Sequence, residues 1–202
     1  MLEQAIQFFK AGGWVMYPLL LLSLLALTLI FERTVFWILG AQRTGQRHLQ
    51  HYLALIASGD TSRAAETAKN DRTLEGTLVR RAYTQDARSE AVLIGHIEDL
   101  RPSIERFAPT LGTIIAAAPL LGILGTVTGI IQSFDLLGDA ASVSDPALVA
   151  GGIAEALYTT AFGLSIALIT LFPHVYFRSR ADRELGRLEL LAGAIADQSA
   201  KR

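Results

Sequence analysis

The stretch LVAGGIAEALYTTAFGLSIALITLFPHVYF, residues 148–177, decides how this chain folds. It is apolar from end to end, with one carboxylate, Glu155, in its interior and no base before His174. A bilayer core of about 30 Å is crossed by roughly 20 helical residues, so the stretch is long enough to span one. Placing a charge near the centre of such a helix costs about 2.5–3.5 kcal/mol on insertion scales, which makes an ionisable residue there a candidate for function. Counting from the start of the stretch, Glu155 lies on the order of 10 Å below the membrane surface at 1.5 Å per residue.

Working outward, the preceding apolar run APTLGTIIAAAPLLGILGTVTGIIQSF, residues 108–134, carries no charge, and a third run covers Trp14 to Leu39, interrupted only by Glu32 and Arg33. With 51% hydrophobic residues in a chain of 202, little sequence remains for a separate water-soluble core. The first run exceeds the 7–15 residues of a signal-peptide core and reads as a retained span. Trp14, Tyr17 and Trp37 fit aromatic belts at its two boundaries.

Orientation follows from charge. Segment 40–107 holds ten Arg and Lys residues and segment 178–202 holds six, whereas 135–147 holds none. Basic loops stay on the cytoplasmic side. The expected organisation is therefore an external N-terminal segment (1–13), a first transmembrane helix (14–39), a cytoplasmic helical region (40–107), a second transmembrane helix (108–134), an external loop (135–147), a third transmembrane helix (148–177) and a cytoplasmic tail (178–202). The fold class is an all-α membrane protein. The net charge of −1 and the lack of a basic stripe interleaved with aromatics speak against a nucleic-acid partner. With no cysteine, thiolate metal sites are excluded.

Within 40–107, Leu49, Tyr52, Leu53 and Ile56 follow helical spacing, Ser58-Gly59-Asp60 breaks it, and Leu74, Leu78 and Ala82 form a further stripe. Leu93, Ile97, Leu100, Ile104 and Phe107 continue the spacing straight into the second span, with Pro102 and Pro109 as places for a kink. These stripes read as packing of a helical bundle. His48 and His51 stand three apart, but without a third ligand nearby they read as a solvated face and not a metal site.

Small residues recur at three- and four-residue spacings in both later spans: Ala118, Gly122, Gly125 and Gly129 in the second, Gly152, Ala156, Thr160, Gly163 and Ala167 in the third. Such ridges let membrane helices approach closely, so the two spans are expected to pack on each other. Thr113, Thr126, Thr128, Thr159, Thr160 and Ser165 add hydroxyls, which within helices commonly bond back to carbonyls one turn earlier.

The motifs GGWVMYPLLLLSLLALTLIFER (12–33), APLLGILGTVTGIIQSF (118–134) and GGIAEALYTTAFGLSIALITLFPHVYF (151–177) resemble the MotA/TolQ/ExbB proton-channel family, nearest its ExbB/TolQ branch. The likeness covers all three spans, and its most specific part is the Gly-Ile-Ala-Glu-Ala-Leu core around Glu155. The resemblance implies a homopentameric ring in the bacterial inner membrane with long cytoplasmic helical extensions. It also implies an ExbD- or TolR-like single-span partner, work delivered through a TonB- or TolA-like protein, and no cofactor. Residue by residue, it implies a proton pathway through Glu155, Thr126 and Thr160. Helical geometry instead puts Thr159 on the Glu155 face, with Thr160 about 140° away; both are candidates, and Thr160 ranks first because the lumen of the implied pentamer is lined by both spans. The flagellar MotA pattern, which resembles a four-span protein with a larger cytoplasmic domain, fits less well. Two other readings compete. One is a passive membrane scaffold with Glu155 as a packing group, and the other an intramembrane enzyme, which lacks a nucleophile and base close together.

Overall fold

The computed structural model describes residues 12–41, 46–84, 88–138 and 146–200. Most of the expected external segments 1–13 and 135–147, and the side chain of Glu155, lie outside the described set. Among the described residues every regular element is an α-helix: α1 (Met16–Ala41), α2 (Gln46–Ala57), α3 (Thr61–Asn70), α4 (Leu74–Thr84), α5 (Glu90–Ile104), α6 (Ala108–Gly138) and α7 (Pro146–Ala200). Three of these helices are long and apolar enough to cross a membrane, over Met16–Ile38, Ala108–Asp135 and within Val149–Ala200. The chain divides into two compact units, Met1–Phe31 with Phe107–Val175, and Glu32–Arg106 with Tyr176–Arg202.

The first unit wears its large apolar side chains outward, among them Leu21, Leu24, Phe31, Leu120, Phe134, Leu157, Leu168 and Phe172. In water such a surface would aggregate; in lipid it is solvated. Its interior is built from small or compact residues, with Leu111, Ile114, Ala118 and Ala156 almost fully buried.

The second unit has a conventional apolar core. The expected stripes all enter it: Leu49, Tyr52 and Ile56 from α2, Leu78 and Ala82 from α4, and Leu93, Ile97 and Ile104 from α5 pack with Ala181, Leu185, Leu188, Leu191 and Ile195 from α7. The expected break after α2 is made by Gly59, whose φ of 75° suits a residue without a side chain, while the Asp60 amide reaches back to the Leu55 carbonyl at 3.1 Å. Asp60 then caps α3 by accepting from the Arg63 amide at 3.1 Å. The next connection turns on Asp71. One of its oxygens accepts from the Thr73 amide at 2.8 Å and the other from the Tyr52 hydroxyl at 2.8 Å, which ties α2 to the start of α4.

One expectation is corrected. The helix through Leu93 and Ile104 does not continue into the second span: α5 ends at Ile104, Phe107 takes a φ of 67°, and α6 begins at Ala108. The cause is Pro109, whose ring in an unbroken helix would meet the carbonyl four residues earlier. In the first turn of a new helix that same ring is tolerated, because no amide is needed there. The segment expected as a tail, by contrast, prolongs α7 as helix to Ala200.

Candidate functional site: the seam between the second and third spans

Gly122, Gly125 and Gly129 on α6 are buried against α7. A Cβ built at Gly122 would lie 2.9 Å from the Thr160 Cα and 3.0 Å from the Thr159 carbonyl oxygen, so the two backbones are in contact there. At Gly129 it would lie 3.0 Å from the Ala156 Cβ and 3.2 Å from the Gly152 carbonyl oxygen. The other half of the ridge is reciprocal, since Gly163 faces the Ala118 carbonyl and Gly152 makes room for Ser133. The five glycines singled out from sequence therefore form one interlocked seam within the chain.

Two hydroxyls cross that seam. Thr160 donates to the Gly122 carbonyl at 2.9 Å, and Thr159 approaches the same oxygen at 3.3 Å while bonding the Ala156 carbonyl of its own helix at 2.7 Å. Thr159 is 1% exposed, whereas Thr160 is half-buried. Both threonines thus reach one carbonyl of the neighbouring helix, from adjacent positions. Thr126 does not join them. It sits one residue beyond Gly125, off the seam's line, and bonds the Ile123 carbonyl at 2.6 Å. Thr113, Thr128 and Ser165 likewise bond carbonyls of their own helix.

Glu155 stands on α7 between Ala154, which is exposed, and Ala156, which is 1% exposed and packed in the seam. One helical turn later comes Thr159. The acid's place in the chain is therefore beside the two-helix contact, on a helix whose position is fixed by backbone-to-backbone packing. Ala156 belongs to the small-residue ridge expected from the sequence, whereas Ser133 carried no expectation. Ser133 is 3% exposed and bonds the Gly129 carbonyl at 2.8 Å; its spacing of four from Gly129 was the available signal. Elsewhere, in the second unit, His48 and His51 line an open cavity of about 470 Å³ with Tyr52, Thr67 and Asp71. Among the described residues no cluster of three His, Cys, Asp or Glu side chains could hold a metal ion.

Three apolar spans, with a glycine-built seam between the second and third and one carboxylate residue in the sequence of the third, define a multi-pass helical membrane protein. Residues 63–190 match the model of the MotA/TolQ/ExbB proton channel family, and the chain belongs to that family. It is similar to the protein named ExbB-like 1 of Synechocystis sp., at 38% identity over 172 residues, covering 81% of this chain and 66% of that one. ExbB-like 3 of the same organism is 32% identical over 200 residues, covering 93% and 95%. The Tol-Pal system protein TolQ of Pseudomonas aeruginosa is 37% identical over 101 residues, covering 50% and 42%.

Proposed function

We propose that this chain is the ring-forming subunit of an inner-membrane complex of ExbB-ExbD or TolQ-TolR type, which converts proton-motive force into mechanical work for TonB-dependent transport or Tol-Pal envelope function. Family membership supports the class, and the observation that carries the mechanism is the placement of Glu155 within a span locked by the Gly122–Thr159–Thr160 contact. In this reading five copies enclose an ExbD- or TolR-like helix, with the N-terminus periplasmic and residues 40–107 and 178–202 in the cytoplasm.

Glu155 takes up a proton from one side and releases it to the other, which a carboxyl can do and a hydroxyl cannot near neutral pH. Thr126, Thr159 and Thr160 hold the path's walls and its hydrogen-bond geometry. The closely packed seam keeps α6 and α7 moving as one body, so a change at Glu155 is felt by the partner helix and not dissipated within the subunit. One elementary charge crossing 100 mV releases about 2.3 kcal/mol. That matches a hydrogen bond to a charged group, at about 1.5–3 kcal/mol, so each proton suffices to remake one contact with the partner. Proton flux through the complex reconstituted with its single-span partner tests the proposal, with the passive scaffold as the reading that survives if no flux is found.

A further inference from the structure

The most unusual side chain in the second unit is one the proton pathway does not use. Glu75, in the first turn of α4, is 0% exposed, and neither carboxyl oxygen has a hydrogen-bond partner on another residue. Its helix is packed into the apolar core through Leu78, Val79 and Ala82. A carboxylate in such a place lacks both water and a counter-ion, and burial is costly for the ionised form above all.

The groups around it do not supply that counter-ion. From α7 come Glu184, itself 5% exposed, and Arg187, whose guanidinium is already held by the Glu184 carboxylate at 2.8 Å. From α2 come His48 and Tyr52, and both are turned to Asp71, at 3.7 Å and 2.8 Å. On α4 itself Arg80 reaches the Ala68 and Asp71 carbonyls. On α5 the Asp99 carboxylate engages Arg81 at 3.3 Å and lies 4.0 Å from His96, while on α3 Glu66 and Lys69 pair with each other at the surface.

We propose that Glu75, facing the Glu184–Arg187 pair, is a protonation-gated latch: neutral, it lets α4 close on α7, and ionised, it forces the two apart. Once charged, Glu75 has two ways to find a partner. Either Arg187 leaves Glu184, exposing a second buried acid, or the first turn of α4 rotates toward water and drags Leu78 and Val79 from the core. Both loosen the same contact. Burial pushes the Glu75 acid up; the field of Glu184 adds to this, while its own helix amide, Arg187 and His48 pull the other way without cancelling it. The sign follows. An acid raised in the closed form stabilises closure fully below the ordinary glutamate range, and loses that contribution as pH climbs through the raised value. Between the two values, the open fraction grows about tenfold per pH unit. The latch works whether or not the spans conduct protons.

The test is hydrogen exchange on the full chain in nanodiscs across a pH series, corrected for the intrinsic pH dependence of exchange and read in peptides covering 74–84 and 181–195. Wild type should lose protection by up to about tenfold per pH unit above the ordinary glutamate range, and Glu75→Gln should give a flat profile. A flat wild-type profile, or an equal slope in the variant, overturns the latch. Infrared spectroscopy of the wild type with isotope-labelled glutamate decides the matter independently of how the variant folds. A protonated-carboxyl band that persists above the ordinary range and vanishes as the 74–84 peptide opens supports the latch; the absence of such a band refutes it.

Discussion

Adding one methyl group at Gly163 tests whether the seam is as tight as the structure has it. A Cβ there would fall against the Ala118 carbonyl oxygen, 3.2 Å from its carbon and 3.3 Å from the Gly122 Cα. All three neighbours are backbone atoms, so no side chain can rotate away and the helices must separate. Overpacking of this kind costs about 1–3 kcal/mol. Against it stands the gain of about 1 kcal/mol for replacing glycine by alanine inside a helix. The net expectation for Gly163→Ala is a loss of up to about 2 kcal/mol, from the difference of those two figures. Gly186→Ala on the same helix is the control, because nothing lies within 4 Å of its added methyl. It should keep the propensity gain of about 0.5–1 kcal/mol. Unfolding in mixed micelles, followed by circular dichroism as denaturing detergent is added, measures both. A Gly163→Ala chain as stable as Gly186→Ala would refute the close approach of α6 and α7. Because the seam is internal to one chain, Gly163→Leu or Gly125→Leu should unsettle the subunit first and reduce recovered oligomer as a consequence.

Tyr52→Phe should destabilise the second unit by about 1.5–3 kcal/mol, the value of a hydrogen bond to a charged group. It should also move acid unfolding to higher pH. Burial pushes the Asp71 acid up but is outweighed by the Thr73 amide, the Tyr52 and Thr73 hydroxyls and His48, so the carboxyl sits below its usual range. Its stabilisation is present above the ordinary aspartate range and lost as pH falls through the lowered value; removing one donor brings that loss on earlier, as a fluorescence-monitored acid titration would record. For topology, reporters fused after Lys69 or at Arg202 should behave as cytoplasmic and one inserted near Ser142 as external, and an external signal at Lys69 would contradict the assigned orientation.

Much of this architecture can be read from residue spacing, because membrane spans and amphipathic helices obey simple periodicities. The Leu49–Ile56 and Leu93–Ile104 stripes became core, and the small-residue ridges became a helix contact, since nothing but a small side chain allows two backbones within that distance. What spacing could not give was the end of α5. The apolar pattern runs unbroken through Phe107, and only the clash of the Pro109 ring with the preceding turn, joined to a left-handed residue at 107, stops the helix. Spacing set Thr159 and Thr160 on different faces but could not show that both approach the Gly122 carbonyl, because that carbonyl belongs to another helix. Glu75 was invisible for the same reason: an acid in the first turn of a helix ordinarily faces water and the helix dipole, and its burial is imposed by α7, more than a hundred residues later.

The central claim is that Glu155 is the group that exchanges the proton. Glu155→Gln keeps the volume and a neutral hydrogen-bonding end, so the variant should insert and assemble normally. Measured as pH change inside vesicles holding the complex with its single-span partner under an imposed potential, its proton flux should fall to the level of empty vesicles. Thr126→Val and Thr160→Val should keep part of the flux, since a hydroxyl shapes the path but does not ionise. Flux through Glu155→Gln close to that of wild type would contradict the account.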